Sequence, residues 1–152
     1  MFSKIIATGS YLPENIVTNR DLEQQVDTTD EWIRSRTGIE QRRIASIDQN
    51  TSDLAYEAAN RAIDKAEIAA ESIDLIIVGT CTPDVVTPNV GTIIQERLGI
   101  KNSAAFSVEA ACSGFIYAMN IADKFIRSRD SSCALVVGAD TLSRITDWTD
   151  RN

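Results

Sequence analysis

Histidine is absent from all 152 residues. Histidine-based acid–base catalysis, histidine metal ligation and a complete Cys-His pair are therefore excluded within this chain. Basic residues are the minority, with 15 Lys and Arg against 22 Asp and Glu for a net charge of −7. That balance argues against nucleic acid as a partner, which calls for a basic surface. It argues equally against a generally cationic docking face for an acidic protein. No apolar run approaches the roughly 20 residues of a membrane span. The opening Met1-Phe-Ser-Lys-Ile-Ile6 lacks the apolar core of a signal peptide, so no membrane association is expected. Cysteines number three, an odd count that without secretory features implies reduced thiols and a cytoplasmic location. No Gly-x-Gly-x-x-Gly follows a strand and no Walker loop occurs, so the usual nucleotide signatures are missing.

What is present reads as an ordinary globular composition, 43% apolar and 24% charged, expected to form one domain over residues 1–152. Ile5-Ile-Ala-Thr8 is expected as a short strand. Thr18-x-x-Asp21 and Thr28-x-x-Glu31 each match a capping box, and Gly38 can end the second helix. Ile39 to Ile44 reads as extended, and its Arg42 and Arg43 read as solvated charge or structural ion pairs. Thr51 or Ser52 can cap a helix whose stripe is Leu54, Ala58, Ala59, Ala62, Ile63 and Ala66. Leu75-Ile-Ile-Val78 and Ala134-Leu-Val-Val137, each followed by glycine, are continuous apolar runs of the kind buried on both sheet faces. Between them lies a helix presenting Val90, Ile93, Ile94 and Leu98 before Gly99. Strands alternating with helices in this way predict an α/β fold with a mostly parallel sheet.

Two stretches carry chemistry. Ala104 to Val108 reads as a buried strand, Glu109-Ala-Ala111 as a tight turn, and Cys112 as the opening of a helix. Phe115, Met119, Ala122 and Ile126 recur along one face of that helix. A cysteine there meets unpaired backbone N–H groups and the positive end of the helix dipole, which favours the thiolate. The competing reading is a packed thiol, the usual state of free cysteine. Cys81 and Cys133 are read that way. In the second stretch, Thr28, Trp32 and Arg36 share one helical stripe while Ile33 faces the core. An indole beside a guanidinium suits a flat heterocycle and its phosphates. The alternative is that Trp32 is a packing anchor.

Val108-Glu-Ala-Ala-Cys-Ser-Gly-Phe115 resembles the nucleophile segment of the ketoacyl synthase III family of the thiolase superfamily. Thr28-Thr-Asp-Glu-Trp-Ile-Arg-Ser-Arg-Thr-Gly-Ile-Glu-Gln-Arg-Arg-Ile44 resembles that family's coenzyme A segment. The similarity runs along the whole chain but corresponds to the family's amino-terminal half. It implies a thiolase-like fold, incomplete at its carboxyl end. Cys112 would be the acyl-accepting nucleophile, its backbone N–H part of an oxyanion hole. Thr28, Trp32, Arg36 and Arg151 would line the coenzyme A site, and Thr87 and Leu142 the acyl pocket. No cofactor or metal is implied. Acyl-coenzyme A and malonyl-acyl carrier protein would be substrates of a homodimer, with the decarboxylating histidine and asparagine in the family's other half. Two alternatives stay open: another thiolase-superfamily condensing enzyme, or a non-catalytic fragment or assembly partner.

Overall fold

The computed structural model describes residues 2–150. Two compact units divide the chain. The first comprises residues up to Tyr11 together with Asn50–Asp140, and the second Leu12–Gln49 with the segment from Thr141 onward.

The first unit is built on a three-stranded sheet of order β4-β3-β5, where β3 is Leu75–Gly79, β4 Ala104–Val108 and β5 Ala134–Gly138. Both pairings are parallel and in register, with Leu75 opposite Ala104 and Ala134, and Gly79 opposite Val108 and Gly138. Every residue of β3 is buried, which explains its unbroken apolar run. Its side chains alternate between two cores, as strand geometry demands. Ile76 and Val78 pack with α3 (Thr51–Ala66) and α4 (Val90–Arg97), through Ala55, Ala59, Ile63, Val90 and Ile94. Leu75 and Ile77 pack on the other face with Ala118 and Ala122 of α5, Gly114–Ser128. Each such aliphatic side chain, fully buried, contributes on the order of 1.5–3 kcal/mol. Among the described residues β4 and β5 each pair on one side only, so both present an open edge.

Several expectations need correction. Residues 5–8 form no strand; Ile5 and Ile6 are 65% and 57% exposed. No ladder partner faces them among the described residues, and apolar character alone does not make a strand. The segment lies against α3 instead: a methyl at Gly9 would stand 2.4 Å from the backbone of Ala58 and Ala62. Those alanines are small because backbone passes over them. The cap of α3 is Asn50, one residue ahead of the expected pair, in a capping box with Asp53. On α5 the buried face is Gly114, Ala118 and Ala122, whereas Phe115 is 44% exposed.

In the second unit, β1 (Asn15–Thr18) pairs antiparallel with β2 (Gln41–Ile44). Thr18 caps α1 (Asn19–Glu23) in the capping box with Asp21 that the sequence predicts. α2 runs Asp30–Thr37. Its cap is Thr29 rather than Thr28, accepting from the Trp32 N–H at 3.1 Å, and Gly38 ends it at φ 72°. Ile33 is its buried residue, as expected.

Candidate active site

In open α/β sheets, chemistry collects beyond the carboxyl ends of the strands. Here β3, β4 and β5 end together at Gly79, Val108 and Gly138. After Val108 the chain turns through Ala110 (φ −154°, ψ 34°) and Ala111 (φ 42°). Ala111–Ser113 then forms a single 3-10 turn before α5 begins at Gly114. Cys112 therefore sits within this turn, two residues ahead of the position expected for it. The left-handed Ala111 is the reason, because α-helical bonding cannot start through it. That conformation costs a non-glycine residue on the order of 1–2 kcal/mol and persists only where its surroundings enforce it. The turn closes with Ser113 N–H donating to Ala110 O at 3.0 Å and Gly114 N–H donating to Ala111 O. The N–H of Cys112 comes too early to join those bonds.

Close backbone approach holds the turn in place. A methyl at Gly79 would lie 2.7 Å from Gly114 C and 2.8 Å from Phe115 N, so only glycine lets the end of β3 meet the start of α5. The Phe115 ring covers Gly138, whose absent methyl would stand 3.1 Å from it. Asp140 joins the neighbouring strand ends. Its Oδ1 accepts from Cys81 N–H at 2.8 Å, Thr82 N–H at 3.1 Å, Thr80 Oγ1 at 3.1 Å and Thr82 Oγ1 at 2.9 Å.

The three thiols differ sharply. Cys112 is exposed, whereas Cys81 and Cys133 are half-buried. Cys81 donates its S–H to Asp140 Oδ1 at 3.3 Å. That bond, with burial and the Asp140 charge, pushes the Cys81 thiol above its ordinary pKa. Burial first, and the Asp74 charge second, push Cys133 up as well. Cys133 is the packed thiol expected of it, joining the core beneath α3 and α4. Among the described residues, no cluster of three or more Cys, Asp or Glu side chains could hold a metal ion.

In the second unit, α2 sets Arg36 over the Trp32 ring, its guanidinium carbon 5.8 Å from the ring centroid. Trp32 is 40% exposed. Thr28 lies half-buried two residues before the helix. The structure thus brings Trp32 and Arg36 together as a platform.

A family model described as 3-oxoacyl-[acyl-carrier-protein (ACP)] synthase III matches residues 106–152, the span that opens just before the Cys112 turn. A beta-ketoacyl-[acyl-carrier-protein] synthase III of Xanthomonas campestris is 57% identical over 151 residues, covering 99% of this chain and 46% of that protein. The crystal structure of 3-oxoacyl-[acyl-carrier-protein] synthase III from Aquifex aeolicus superposes with TM-score 0.94 at 49% identity, covering 97% of this chain and 48% of that one. The priming beta-ketosynthase of the R1128 polyketide pathway gives TM-score 0.95 at 37% identity, covering 99% and 45%. The chain resembles a synthase III of the thiolase superfamily. It spans about half the length of the curated relatives it matches. Its α/β fold is the thiolase-like fold of the synthase III structures.

The remaining residues singled out by the synthase III resemblance fall as follows. Thr87 is exposed in the loop between β3 and α4. That loop is anchored where Thr51 Oγ1 donates to Thr82 O at 2.5 Å and Ser52 N–H donates to Asp84 Oδ1 at 2.9 Å. Thr87 and Cys112 thus follow the carboxyl ends of adjacent parallel strands. Leu142 is 52% exposed, in a 3-10 turn of the second unit. Arg151 lies outside the described residues. Arg42 and Arg43 serve neutral acceptors: Arg42 Nη1 donates to Asn19 Oδ1 at 2.6 Å, and Arg43 Nη1 to Pro13 O at 3.1 Å. Sequence reasoning missed Asp140 and Asn19. Position after a buried parallel strand was the available signal for Asp140; nothing local marks Asn19.

Proposed function

We propose that this chain carries the acyl-accepting thiol and the coenzyme A site of a β-ketoacyl-acyl carrier protein synthase III, an acyltransferase that starts fatty acid synthesis. The observation that carries the reading is an exposed cysteine in a strained strand-to-helix turn beyond the carboxyl end of a parallel strand. In this reading Thr28, Trp32, Arg36 and Arg151 are the residues that recognise the adenine and phosphates of an acyl-coenzyme A, and Cys112 is the residue that takes its acyl group. The Cys112 thiolate attacks the carbonyl carbon, and the C–S bond to coenzyme A breaks to leave an acyl-cysteine. Charge on the tetrahedral oxygen is stabilised in part by the Cys112 N–H. Malonyl-acyl carrier protein then loses carbon dioxide, and its enolate attacks the acyl-cysteine to give a 3-oxoacyl product and free thiolate. This is ping-pong covalent catalysis. Thr87 is the residue assigned to acyl-chain selection, with Leu142 the weaker candidate. No cofactor takes part. The working assembly is a homodimer, a reading supported by the edge that β4 leaves open among the described residues, and its compartment is the cytoplasm.

The experiment is intact-mass analysis after incubation with acetyl-coenzyme A, followed by peptide mapping. One acetyl group is expected on Cys112, and none on the Cys112→Ala variant. With no histidine in the chain, acylation is expected without decarboxylative condensation of malonyl-acyl carrier protein. Acetylation of Cys81 or Cys133 instead, or of no cysteine, refutes the reading. The likeness to the R1128 priming ketosynthase favours, as a second reading, the same acyl transfer priming another product.

A further inference from the structure

α2 is only eight residues long, and Ile33 is its buried residue. A helix that short is marginal in water unless something outside it holds it. The side chain of Asn19, itself 1% exposed, grips it at both ends. Asn19 Nδ2 donates to Asp30 Oδ1 at 2.7 Å, and Asp30 is the first residue of α2. The same nitrogen donates to Ile39 O at 2.7 Å, just beyond the Gly38 cap. Asn19 Oδ1 accepts from Arg42 Nη1 of β2 at 2.6 Å, and Asn19 N–H donates to Glu40 O at 3.2 Å. Both amide protons face acceptors and the oxygen faces a guanidinium, so only this orientation of the amide, and no carboxylate, satisfies the site.

We infer that Asn19 is a positioning residue for coenzyme A recognition. By fixing both ends of α2 against β2, it sets where the Trp32–Arg36 platform meets the nucleotide end of an acyl-coenzyme A. The inference rests on the coenzyme A reading above. It assigns Asn19 no contact with the thioester, so its effect belongs to the nucleotide and not to Cys112 chemistry.

The test compares Cys112 acetylation rates with acetyl-coenzyme A and with acetyl-pantetheine, which lacks adenine and phosphates. Wild type should prefer acetyl-coenzyme A, and Trp32→Ala should lose that preference. Asn19→Asp places a carboxylate against Asp30 and the Ile39 carbonyl. It should slow acetylation by acetyl-coenzyme A on the order of tenfold, the effect of leaving buried polar groups unpaired. The acetyl-pantetheine rate should stay within about twofold. The double variant Asn19→Asp with Asp30→Asn restores a donor–acceptor pair of reversed polarity and should recover part of the preference. A merely structural role would slow both substrates together, and the double variant would then recover both rates alike. Should Asn19→Asp fail to fold, Asp30→Ala removes one of the two grips and must show the same selective loss. Equal slowing with both thioesters, or an unchanged preference in these variants while Trp32→Ala loses it, overturns the role of Asn19 alone. A wild type without preference overturns the coenzyme A reading and this inference with it.

Discussion

Gly79 and Gly114 face each other where β3 meets α5, and the contact is not symmetrical. A methyl at Gly79 would point into backbone, 2.7 Å from Gly114 C, 2.8 Å from Phe115 N and 3.0 Å from Gly114 O. None of those atoms can swing aside as a side-chain tip would, so α5 and the Cys112 turn must shift. A methyl at Gly114 would meet Gly79 Cα at 3.5 Å and Val108 O at 3.6 Å, which is ordinary contact. Gly114 also has helical dihedrals, φ −55° and ψ −47°, where alanine is at least as well accommodated. Gly79→Ala should therefore destabilise by about 1–3 kcal/mol, the range for forcing an extra methyl into a packed interior. Gly114→Ala should stay within about 0.5 kcal/mol of wild type. Urea unfolding followed by circular dichroism measures both, and for a chain of this size each kcal/mol moves Tm by about 2–4 °C. Acetylation of Cys112 should slow in Gly79→Ala and change little in Gly114→Ala, because only the first displaces the turn. If the two variants prove equally destabilised, or Gly79→Ala is neutral, the glycine contact does not position the nucleophile.

Other perturbations separate the remaining claims. A thiol alkylator applied to folded protein near neutral pH should label Cys112 before Cys81 or Cys133; equal labelling by peptide mapping would remove the nucleophile assignment. Asp140→Asn takes away the carboxylate that raises the Cys81 pKa, so Cys81 should alkylate faster at fixed pH, and an unchanged rate would refute that cause. For Asp74, burial raises the pKa, but hydrogen bonds from Ser131, Ser132 N–H and Cys133 N–H outweigh it and leave the folded value lowered. Its stabilisation is therefore present above the unfolded pKa and lost as pH falls through the lower folded value; Asp74→Asn should flatten the acid limb of a stability–pH profile, and an unaltered limb would contradict this. Thr87→Phe should narrow acyl-coenzyme A use at Cys112 toward short chains, and an unchanged substrate profile would take Thr87 out of the acyl pocket.

The parallel core was legible because a strand buried on both faces needs an unbroken apolar run, which Leu75–Val78 supplies; Ala134–Val137 reads alike but, as an edge strand, buries only Leu135 and Val137. Glycine stops worked where the backbone turns left-handed at glycine, as at Gly38 and Gly99 with φ 72° and 71°. They failed where other residues make the same turn. Glu67 closes α3 at φ 55° and Arg129 closes α5 at φ 69°, and neither residue type announces it. Ala111 is the same case at the active turn. Its positive φ comes from the way α5 is held against β3, so the local pattern read as a helix starting at Cys112. Phe115 lies about 100° round from the inward stripe of Gly114, Ala118 and Ala122, and so falls outside it. Periodicity reports which side chains share a face, and size then decides which face can approach a sheet. Here the small-residue face lies inward because the glycine at its head meets Gly79 backbone to backbone. The large apolar side chains of Phe115, Ile116 and Tyr117 stay 44%, 64% and 54% exposed, with the Phe115 ring lying over Gly138.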